Sequence, residues 1–256
     1  MKKSKRKIQK DFNSNTDFFD DIIYNFDSKG ENFGNQDRNS LKLFQLGDKT
    51  INVKSFRIPN IVNQIVYRFF RKSKAQRSYE YANKLIDLKV NTPQPIGFYE
   101  FETPLLFNKS FYISEQLDCD LTYRELTKDL NYPNHEKILR AFTRFTYQLH
   151  EKGILFLDHS PGNTLIKINN GDYKFYLVDL NRMEFRSLDF QTRIKNFARL
   201  TVHKSMVDVM SDEYAKCSGE DYARIVEIMW SETKSFQEKF HRRERLKKKY
   251  KFWKKN

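Results

Sequence analysis

The chain is poor in cysteine, glycine and proline, and it contains no long apolar run. Its 256 residues include only two cysteines, Cys119 and Cys217, which excludes a disulfide framework and favours a reducing, cytoplasmic setting. No segment approaches the roughly 20 consecutive apolar residues of a membrane-spanning helix. The basic N-terminus is not followed by an apolar stretch, so we expect no secretory signal. The length suffices for one large or two small lobes with hydrophobic cores.

The net charge of +14 is concentrated at the two ends of the chain. Residues 1–10 carry +6 and residues 241–256 carry +8, so the body between them is balanced. A nucleic-acid-binding domain usually carries its basic residues on the folded body, which makes nucleic acid an unfavoured partner here. The cationic ends favour attachment to an anionic membrane surface, and the rings of Tyr250, Phe252 and Trp253 suit the headgroup level. A disordered, solubilising tail is the alternative.

The predicted elements divide the chain into a strand-rich part and a helix-rich part. Residues 1–37 form a polar extension, mobile except for a short helix at 18–26. Residues 38–116 form the strand-rich part, residues 117–240 the mainly helical part, and residues 241–256 the basic tail. Strands are predicted at 41–46, 50–56, 96–101, 105–107 and 110–115. Helices are predicted at 58–70, 75–88, 121–127, 134–152, 189–203 and 221–240. This order indicates an α+β protein with two lobes.

The stretch 149–181 places three polar side chains around a predicted hairpin. Asp158 and Asn163 stand five positions apart on a loop that contains Pro and Gly, which keep it out of regular structure. Two predicted strands follow, joined by a turn at 169–172 where Asn and Gly tolerate positive φ. Asp179 comes directly after the second strand, so all three side chains should meet at one end of the hairpin. Oxygen ligands so arranged suit Mg²⁺ carrying phosphates.

Lys54 lies in the strand predicted at 50–56, on the face opposite its apolar residues. Ile51 and Val53 point one way, so Lys54 points towards whatever covers the other face of the sheet. Taken alone, a strand Lys is most often a solvated surface residue. Glu80, in the second predicted helix, is either a partner for Lys54 or an ordinary surface carboxylate.

The joint order of these residues resembles a protein-kinase-like two-lobed fold, with an antiparallel sheet and helices in the N-lobe and a mainly helical C-lobe. Lys54 resembles the strand Lys that pairs the α- and β-phosphates, and Glu80 stands where its helix partner is expected. The chain also has a motif similar to the kinase catalytic loop: Leu149-His-x-x-Gly-Ile154 followed by Asp158-x-x-x-x-Asn163. Asp179-Leu-Asn resembles the metal-binding Asp-Phe-Gly.

The resemblance implies a role for each residue. Asp158 would orient the attacking hydroxyl and accept its proton, whereas Asn163 and Asp179 would hold Mg²⁺ beside ATP. Ser160 either contacts phosphate or acceptor, or only starts a turn. The candidate catalytic base is Asp158, and the candidate metal ligands are Asn163 and Asp179. The candidate nucleotide ligands are Lys54, Glu80, Ser160 and Glu115, the last of which stands at the expected hinge.

Several departures from the protein-kinase pattern narrow the reaction class. Phe156-Leu157 precede Asp158 in place of His-Arg, and Ser160 replaces the Lys usual two residues after the Asp. Asn181 replaces the Gly of the metal motif, and the segment 33–36 has a single Gly where a glycine-rich loop is expected. There is no Ala-Pro-Glu segment for binding a peptide. These departures favour a small-molecule or lipid-sugar kinase over a protein kinase.

Among such families the chain resembles the bacterial lipopolysaccharide kinases, which phosphorylate keto-deoxy-octulosonate (Kdo) or heptose of the inner core. The resemblance covers about residues 38–200. It implies ATP, Mg²⁺ and a lipid-linked sugar acceptor at the inner face of the cytoplasmic membrane, where a cationic cluster at 71–77 would meet lipid A phosphates or the Kdo carboxylate. The motifs that carry it are Val53-Lys54-Ser-Phe56, Arg71-Lys-Ser-Lys-Ala-Gln-Arg-Ser-Tyr-Glu80-Tyr, Thr92-Pro-x-Pro95, Asp158-x-Ser-Pro-Gly-Asn163 and Asp179-Leu-Asn-Arg182.

Two other classes of function stay open from the sequence. The poor glycine loop favours a pseudokinase, a nucleotide-binding or structural scaffold without phosphotransfer, although the candidate residues above oppose it. The basic ends favour a membrane- or RNA-associated adaptor in which the tails carry the function.

Overall fold

The chain folds into two units in the computed structural model, which describes the backbone of residues 3–34 and 39–253 and the side chains of residues 4–34 and 39–248. The first unit comprises Met1–Asp118 and Leu177–Arg182, and the second comprises Cys119–Tyr176 and Met183–Asn256. Parts of three predictions lie outside the described residues: the loop at 33–36 beyond Gly34, the start of the basic end at 1–10, and the tail side chains beyond Lys248.

A six-stranded antiparallel sheet is the scaffold of the first unit. Its strands are β1 (Lys3–Ile8), β2 (Glu31–Asn32), β3 (Asn39–Leu46), β4 (Lys49–Phe56), β5 (Pro95–Glu102) and β6 (Phe107–Glu115). They lie in the order β1-β5-β6-β4-β3-β2, each antiparallel to its neighbour. The helices of this unit are a 3-10 helix (Lys10–Asn15), α1 (Thr16–Tyr24), α2 (Ile61–Phe69) and α3 (Lys74–Asp87).

The two faces of this sheet pack against different helices, as the alternation in β4 predicts. Ile51 and Val53 are fully buried, in a cluster that the 3-10 helix and α1 complete. Phe56 lies on the other face, in a cluster with Tyr79 of α3. Lys54 shares the parity of Phe56, so the prediction that it faces away from the apolar pair is confirmed, and α3 is what covers that face.

The N-terminal segment is more ordered than its polar composition indicates. Strand β1 pairs with β5 over its whole length, so the expectation of a mobile extension is wrong for this part. Lys5 and Lys7 place their ammonium groups over the rings of Phe98 and Tyr79, and Lys5 also pairs with Glu100 at 3.4 Å. A Lys-rich strand is typical of a sheet edge, because charge there opposes pairing with another chain. The separate strand predicted at 105–107 is also wrong, since β6 begins only at Phe107.

The second unit is mainly helical and carries two small sheets. Its helices are α4 (Tyr123–Lys128), α5 (His135–Glu151), α6 (Phe190–Lys195), α7 (Lys204–Ser218) and α8 (Tyr222–Trp253). Its strands are β7 (Leu121–Thr122), β8 (Ile154–Phe156), β9 (Thr164–Asn169), β10 (Asp172–Leu177) and β11 (Met183–Phe185). The sheets have the orders β10-β9-β7 and β11-β8. Among the described helices, none is both long enough and apolar enough to cross a membrane.

The core of the second unit lies between the long helices and the hairpin β9–β10. Phe142 of α5 is fully buried and its ring stands 4.3 Å from that of Tyr123 and 5.6 Å from that of Phe175. Arg140 and Arg144 of α5 both pair with Glu213 of α7. These ion pairs offset the free-energy cost of placing the nearly buried Glu213 carboxylate away from water.

Several predicted helix bounds in this unit are corrected. The helix predicted at 189–203 is only α6, and α7 was not predicted. Helix α8 continues from Tyr222 to Trp253, so the first part of the basic tail is helical and not disordered. Asn134 stands at the start of α5 but has φ +58 and makes no side-chain capping bond. The hairpin turn is confirmed, with φ +48 at Asn170 and +85 at Gly171.

Candidate active site

The first unit brings Lys54 of β4 and Asp179 together. The Lys54 Nζ lies 2.8 Å from the Asp179 Oδ1, and the two side chains are 15% and 30% exposed. Partial burial makes this ion pair stronger than a fully exposed one, because water screens it less. Lys54 therefore contacts Asp179 directly.

Three hydrogen bonds fix the segment Leu177–Arg182 to the rest of the first unit. Thr92 donates its hydroxyl to the Leu177 carbonyl at 2.8 Å, and the Leu177 N–H donates to the Asn91 carbonyl at 3.1 Å. On the other side of Asp179, the buried Arg77 of α3 donates to the Asn181 carbonyl at 2.7 Å. The backbone on both sides of Asp179 is thus held by the elements that border the sheet face of Lys54.

Asp179 itself has a left-handed backbone, with φ +58. Asp, Asn and Gly are the residues that adopt this conformation at least cost. The Asn181 side chain donates from Nδ2 to the Asp179 Oδ1 at 2.6 Å. Asn181, which departs from the Gly of the protein-kinase motif, therefore orients the carboxylate that the motif is expected to supply.

Lys74, at the start of α3, is the helix residue that approaches this pair. The ammonium groups of Lys54 and Lys74 lie 5.4 and 6.0 Å from the centre of the same ring, Phe56. Burial lowers the pKa of Lys74 below its ordinary value, with Lys54, Arg77 and Arg182 adding to the effect, while the Asp179 carboxylate opposes it. The arrangement concentrates positive charge around one carboxylate, which suits phosphate groups.

Glu80 does not pair with Lys54, which is the contact that the resemblance implies for it. Its carboxylate faces Lys72, whose Nζ lies 2.8 Å away, and also accepts from Gln76 at 2.9 Å, whereas Lys54 faces Asp179. Burial alone would raise the pKa of Glu80, but these hydrogen bonds hold it below its ordinary value. The expected Lys54–Glu80 pair is therefore wrong. Lys74 and Glu80 are six residues apart, which separates them by about 120° around the helix.

The second unit carries Asp158, on the loop after β8. Its Oδ1 lies 2.7 Å from the Nη1 of Arg199, and the same nitrogen donates to the Leu157 carbonyl at 3.1 Å. The guanidinium also lies over the ring of Phe236 at 5.5 Å. Arg199 thus orients the candidate base and supplies a positive charge beside it.

Asn163 closes the same loop. Its Nδ2 donates to the Asp158 carbonyl at 2.8 Å and its N–H to the Ser160 carbonyl at 2.9 Å. The first bond uses the amide nitrogen, so the amide oxygen points away from it and is the atom that a cation would need. Ser160 contributes its carbonyl to this turn, and a contact of Ser160 with phosphate or acceptor stays a prediction. Gly162 lies against the Arg124 guanidinium so closely that a Cβ there would stand 2.3 Å from the Nη2.

Glu115 ends β6 and is engaged within the first unit. Its N–H donates to the Gln94 carbonyl at 2.9 Å, and its carboxylate pairs with Lys49. The hydrogen bond from the Lys49 ammonium to the Glu115 carboxylate raises the pKa of Lys49. The predicted nucleotide contact of Glu115 stays a prediction, because both its N–H and its carboxylate are engaged within the first unit.

The donor set fits a metal carried by phosphates better than a metal held by protein alone. Among the described side chains, no group of three or more His, Cys, Asp or Glu could hold a metal ion. Mg²⁺ takes oxygen ligands, keeps several waters and is usually bound through one or two carboxylates together with substrate phosphates. Asp179 offers one carboxylate in the first unit and Asn163 one amide oxygen in the second. Both residue types therefore fit Mg²⁺–ATP.

Two histidines are buried and neutral: His150 in α5, and His159 in the loop itself, directly after Asp158. Burial lowers the pKa of His150 to about 4 and that of His159 to about 3. His150 bonds to the Tyr214 hydroxyl at 3.0 Å and to the Asn196 Oδ1 at 3.2 Å. In the described part of the chain, neither ring nitrogen of His159 has a hydrogen-bond partner, and Phe142 packs against the ring at 5.4 Å. His159 therefore packs as a core residue.

We expect these histidines to make folding stability fall between about pH 6.5 and pH 4. In this window the unfolded chain binds a proton at each His while the folded chain does not, so the free energy of unfolding decreases as pH decreases. Replacing His159 by Leu should reduce this slope by about 1.4 kcal/mol per pH unit near pH 5. Urea denaturation of both proteins between pH 5 and 7.5 measures it. Above pH 7 the variant should be at least as stable as the wild type, and an unchanged slope would refute the assignment.

Sequence reasoning missed three residues of this region. Arg199 lies 41 positions after Asp158, and no local pattern marks it. Lys74 and Arg77 fall inside a motif that carried the resemblance, but the sequence gives no helix phase precise enough to decide which residue of α3 faces Lys54. The cationic cluster at 71–77 was the available signal, and it was assigned to the acceptor.

A family model and a solved structure are similar to this chain. The model of the lipopolysaccharide kinase (Kdo/WaaP) family matches residues 46–228. Among solved structures, WaaP in complex with acyl carrier protein is similar at a TM-score of 0.64 and 14% identity, over 93% of this chain and 98% of that one. No curated protein matches by sequence. The predicted fold class, α+β and protein-kinase-like, is confirmed by this likeness together with the antiparallel sheet and the helical second unit.

Proposed function

Because the chain belongs to the lipopolysaccharide kinase (Kdo/WaaP) family, we propose that it transfers the γ-phosphoryl group of ATP to a hydroxyl of Kdo or heptose in the lipopolysaccharide inner core. The observation that carries this proposal is the contact of Lys54 with Asp179 at 2.8 Å, on the sheet face that α3 covers. It joins the amine and the carboxylate that phosphoryl transfer needs for placing a nucleotide and its metal.

In the first unit, the residues around Asp179 bind and place the nucleotide. Lys54 and Lys74 supply positive charge for phosphate oxygens, and Asp179 supplies a metal ligand whose direction Asn181 fixes. Mg²⁺, when bound, neutralises charge on the phosphates. Such positioning and electrostatic stabilisation account for nearly all catalysis of phosphoryl transfer, because little covalent chemistry is left to the protein.

In the second unit, Asp158 acts on the acceptor. The sugar hydroxyl oxygen forms a bond to the γ-phosphorus, the bond to the ADP oxygen breaks, and the hydroxyl proton passes to the Asp158 carboxylate. Arg199 keeps that carboxylate oriented and provides a cation near the transferred group. This is the charge that a Lys would supply at the position where this chain has Ser160.

A pseudokinase is the second candidate, and two observations favour it. The Asp158 Oδ1 is paired with Arg199 at 2.7 Å, and this positive charge opposes the transfer of a proton to the carboxylate. The single Gly in the segment 33–36 points the same way. In either case we propose a cytoplasmic protein that acts peripherally at a membrane, with a lipid-linked sugar as the partner.

Phosphate transfer is tested directly with purified protein, radiolabelled ATP, MgCl₂ and Kdo-linked lipid A as the acceptor. We expect labelled lipid from the wild type, and mass spectrometry of lipopolysaccharide from cells lacking the protein should show one phosphate fewer. Nucleotide binding without transfer to Kdo- or heptose-bearing acceptors would favour the pseudokinase.

In the same assay, Lys54→Met and Glu80→Gln form a matched pair of variants. Lys54 is assigned to the phosphate site, whereas Glu80 is assigned to an ion pair outside it. Lys54→Met should lower kcat/KM by about 10²–10³-fold, since it removes one charged donor from the phosphate site. Glu80→Gln should change it by less than about threefold, because an ion pair at the surface is worth little. Equal losses in the two variants would restore Glu80 to the site and contradict the structure-based assignment.

A further inference from the structure

Helix α2 is fastened to the first unit by one side only. Tyr67 packs its ring 5.7 Å from that of Phe107, and Arg68 donates to the Thr103 carbonyl at 3.1 Å. Asn60 caps the helix by accepting the Asn63 N–H at 3.0 Å. No residue of α2 is buried. The helix is therefore anchored and capped, yet none of its own side chains is buried.

The other side of α2 is an exposed apolar surface, which we call the α2 patch. Residues 61, 65 and 69 follow one another at intervals of four, so they share one side of the helix. Phe70, just after the helix, is 82% exposed, the highest value among the large apolar residues of the described chain. The patch consists of Ile58 (43% exposed), Ile61 (55%), Val62 (66%), Ile65 (42%), Phe69 (54%) and Phe70 (82%).

The charge around the α2 patch has one sign along the chain. Residues 49–79 contain no Asp or Glu, while Arg57 precedes the patch and Arg71 and Lys72 follow it. Arg57, Arg71 and Lys72 are all exposed. The nearest acids that enter ion pairs here come from elsewhere: Glu80 with Lys72, and Glu102 with Arg68 at 3.6 Å. An apolar surface bordered by cations is complementary to a surface that is apolar beneath a layer of negative charge.

We propose that the α2 patch is a docking surface for an anionic lipid bilayer, with Phe69 and Phe70 entering the interface and Arg57 and Arg71 contacting lipid phosphates. Helices with an apolar side and flanking cations lie in the plane of such interfaces, and aromatic rings settle at the headgroup level. The inference rests on the proposed function only for its setting, because a lipid-linked acceptor would be presented at such a surface. It assigns membrane contact to the first unit, whereas the charge pattern alone pointed to the basic ends.

The test uses the full-length protein and vesicles of phosphatidylcholine with about 30% phosphatidylglycerol, without nucleotide or acceptor. The double variant Phe69→Ser, Phe70→Ser should lower the fraction that sediments with these vesicles by about tenfold or more, since each ring loses its burial. Val202→Ser, which removes an exposed apolar side chain (55%) from the second unit, is the matched control and should bind as the wild type does. Both substitutions are at the surface, so unchanged melting temperatures verify folding.

Each outcome of this test decides between occupants. Wild-type binding that needs phosphatidylglycerol and is lost in the double variant supports the proposal. Binding retained by the double variant overturns it and returns membrane contact to the basic tail, which that variant leaves intact. A wild type that is dimeric by light scattering, and that the double variant makes monomeric without a change in vesicle binding, overturns it in favour of a second copy of the chain. Transfer to a soluble Kdo acceptor, measured in parallel, reports separately on the kinase proposal.

Discussion

Replacing Asp158 by Asn should lower kcat for phosphate transfer by about 10²–10⁴-fold, which is the usual contribution of a positioned general base. The amide cannot accept the hydroxyl proton. Its oxygen can still accept the bond that Arg199 now donates to the Asp158 Oδ1 at 2.7 Å, so the loop should keep its conformation. Steady-state kinetics with Kdo-linked lipid A measure the effect.

The matched control for this variant is Asp189→Asn in the same unit. Asp189 caps α6 by accepting the Thr192 N–H at 2.7 Å, and Asn is an equally good capping residue, so neither stability nor turnover should change. ATP binding by Asp158→Asn should also be preserved, since the role assigned to this carboxylate concerns the acceptor. A variant that keeps more than a tenth of wild-type kcat would show that another group takes the proton.

A substitution of Arg199, which pairs with Asp158, tests the pseudokinase alternative. If the ion pair keeps Asp158 from acting, then Arg199→Gln should raise turnover or leave it unchanged. If Arg199 orients the base and stabilises the transferred charge, as proposed, turnover should fall. The direction of the change separates an inhibitory contact from a supporting one, and it does not depend on its size.

What could be predicted from the sequence is mostly what neighbouring residues determine. The alternation of Ile51, Val53 and Lys54 gave the correct faces of β4, because side chains in a strand alternate by geometry alone. The turn at Asn170 and Gly171 was predicted because few residues tolerate positive φ. The motifs that contain Asp158 and Asp179 could likewise be identified from residues close together in the sequence.

What could not be predicted depends on contacts between distant segments. Strand β1 has the composition of a mobile end, and only its hydrogen bonds to β5 make it a strand. The partner of Lys54 was misassigned to Glu80, since the phase of α3 relative to β4 is set by packing of Tyr79 and Ala75 against the sheet. Helix α7 has weak periodicity, and it buries Glu213 because α5 provides arginines for it. That Asp158 and Asp179 act on one nucleotide stays a prediction.

Asp179→Asn should abolish the effect of Mg²⁺ on nucleotide binding, together with nearly all phosphate transfer. The substitution is conservative for the backbone, because Asn adopts the left-handed conformation found at this position (φ +58) as readily as Asp. The new amide oxygen can still accept the hydrogen bond from Asn181, which is 2.6 Å in the wild type. Only the negative charge is removed, so the variant isolates the metal-binding role.

The loss of that charge has a second consequence, which makes the prediction specific. Lys54 and Lys74 would then lose the negative charge that acts on both of them, and phosphates would become their best available counter-ion. ATP without metal should therefore raise the melting temperature of Asp179→Asn at least as much as that of the wild type, whereas added MgCl₂ should raise only the wild type further. Thermal-shift titrations with ATP, with and without MgCl₂, measure both effects.

Asp87→Asn, at the exposed end of α3, is the control and should respond to Mg²⁺ as the wild type does. A wild type whose melting temperature with ATP is indifferent to Mg²⁺ would remove the metal from the mechanism and favour the scaffold. If Asp179→Asn instead lost its response to ATP altogether, the carboxylate would be holding Lys54 in place for the phosphates, and its pairing at 2.8 Å would be a positioning contact. The two results assign opposite roles to the same ion pair, so a single titration series decides which one the site uses.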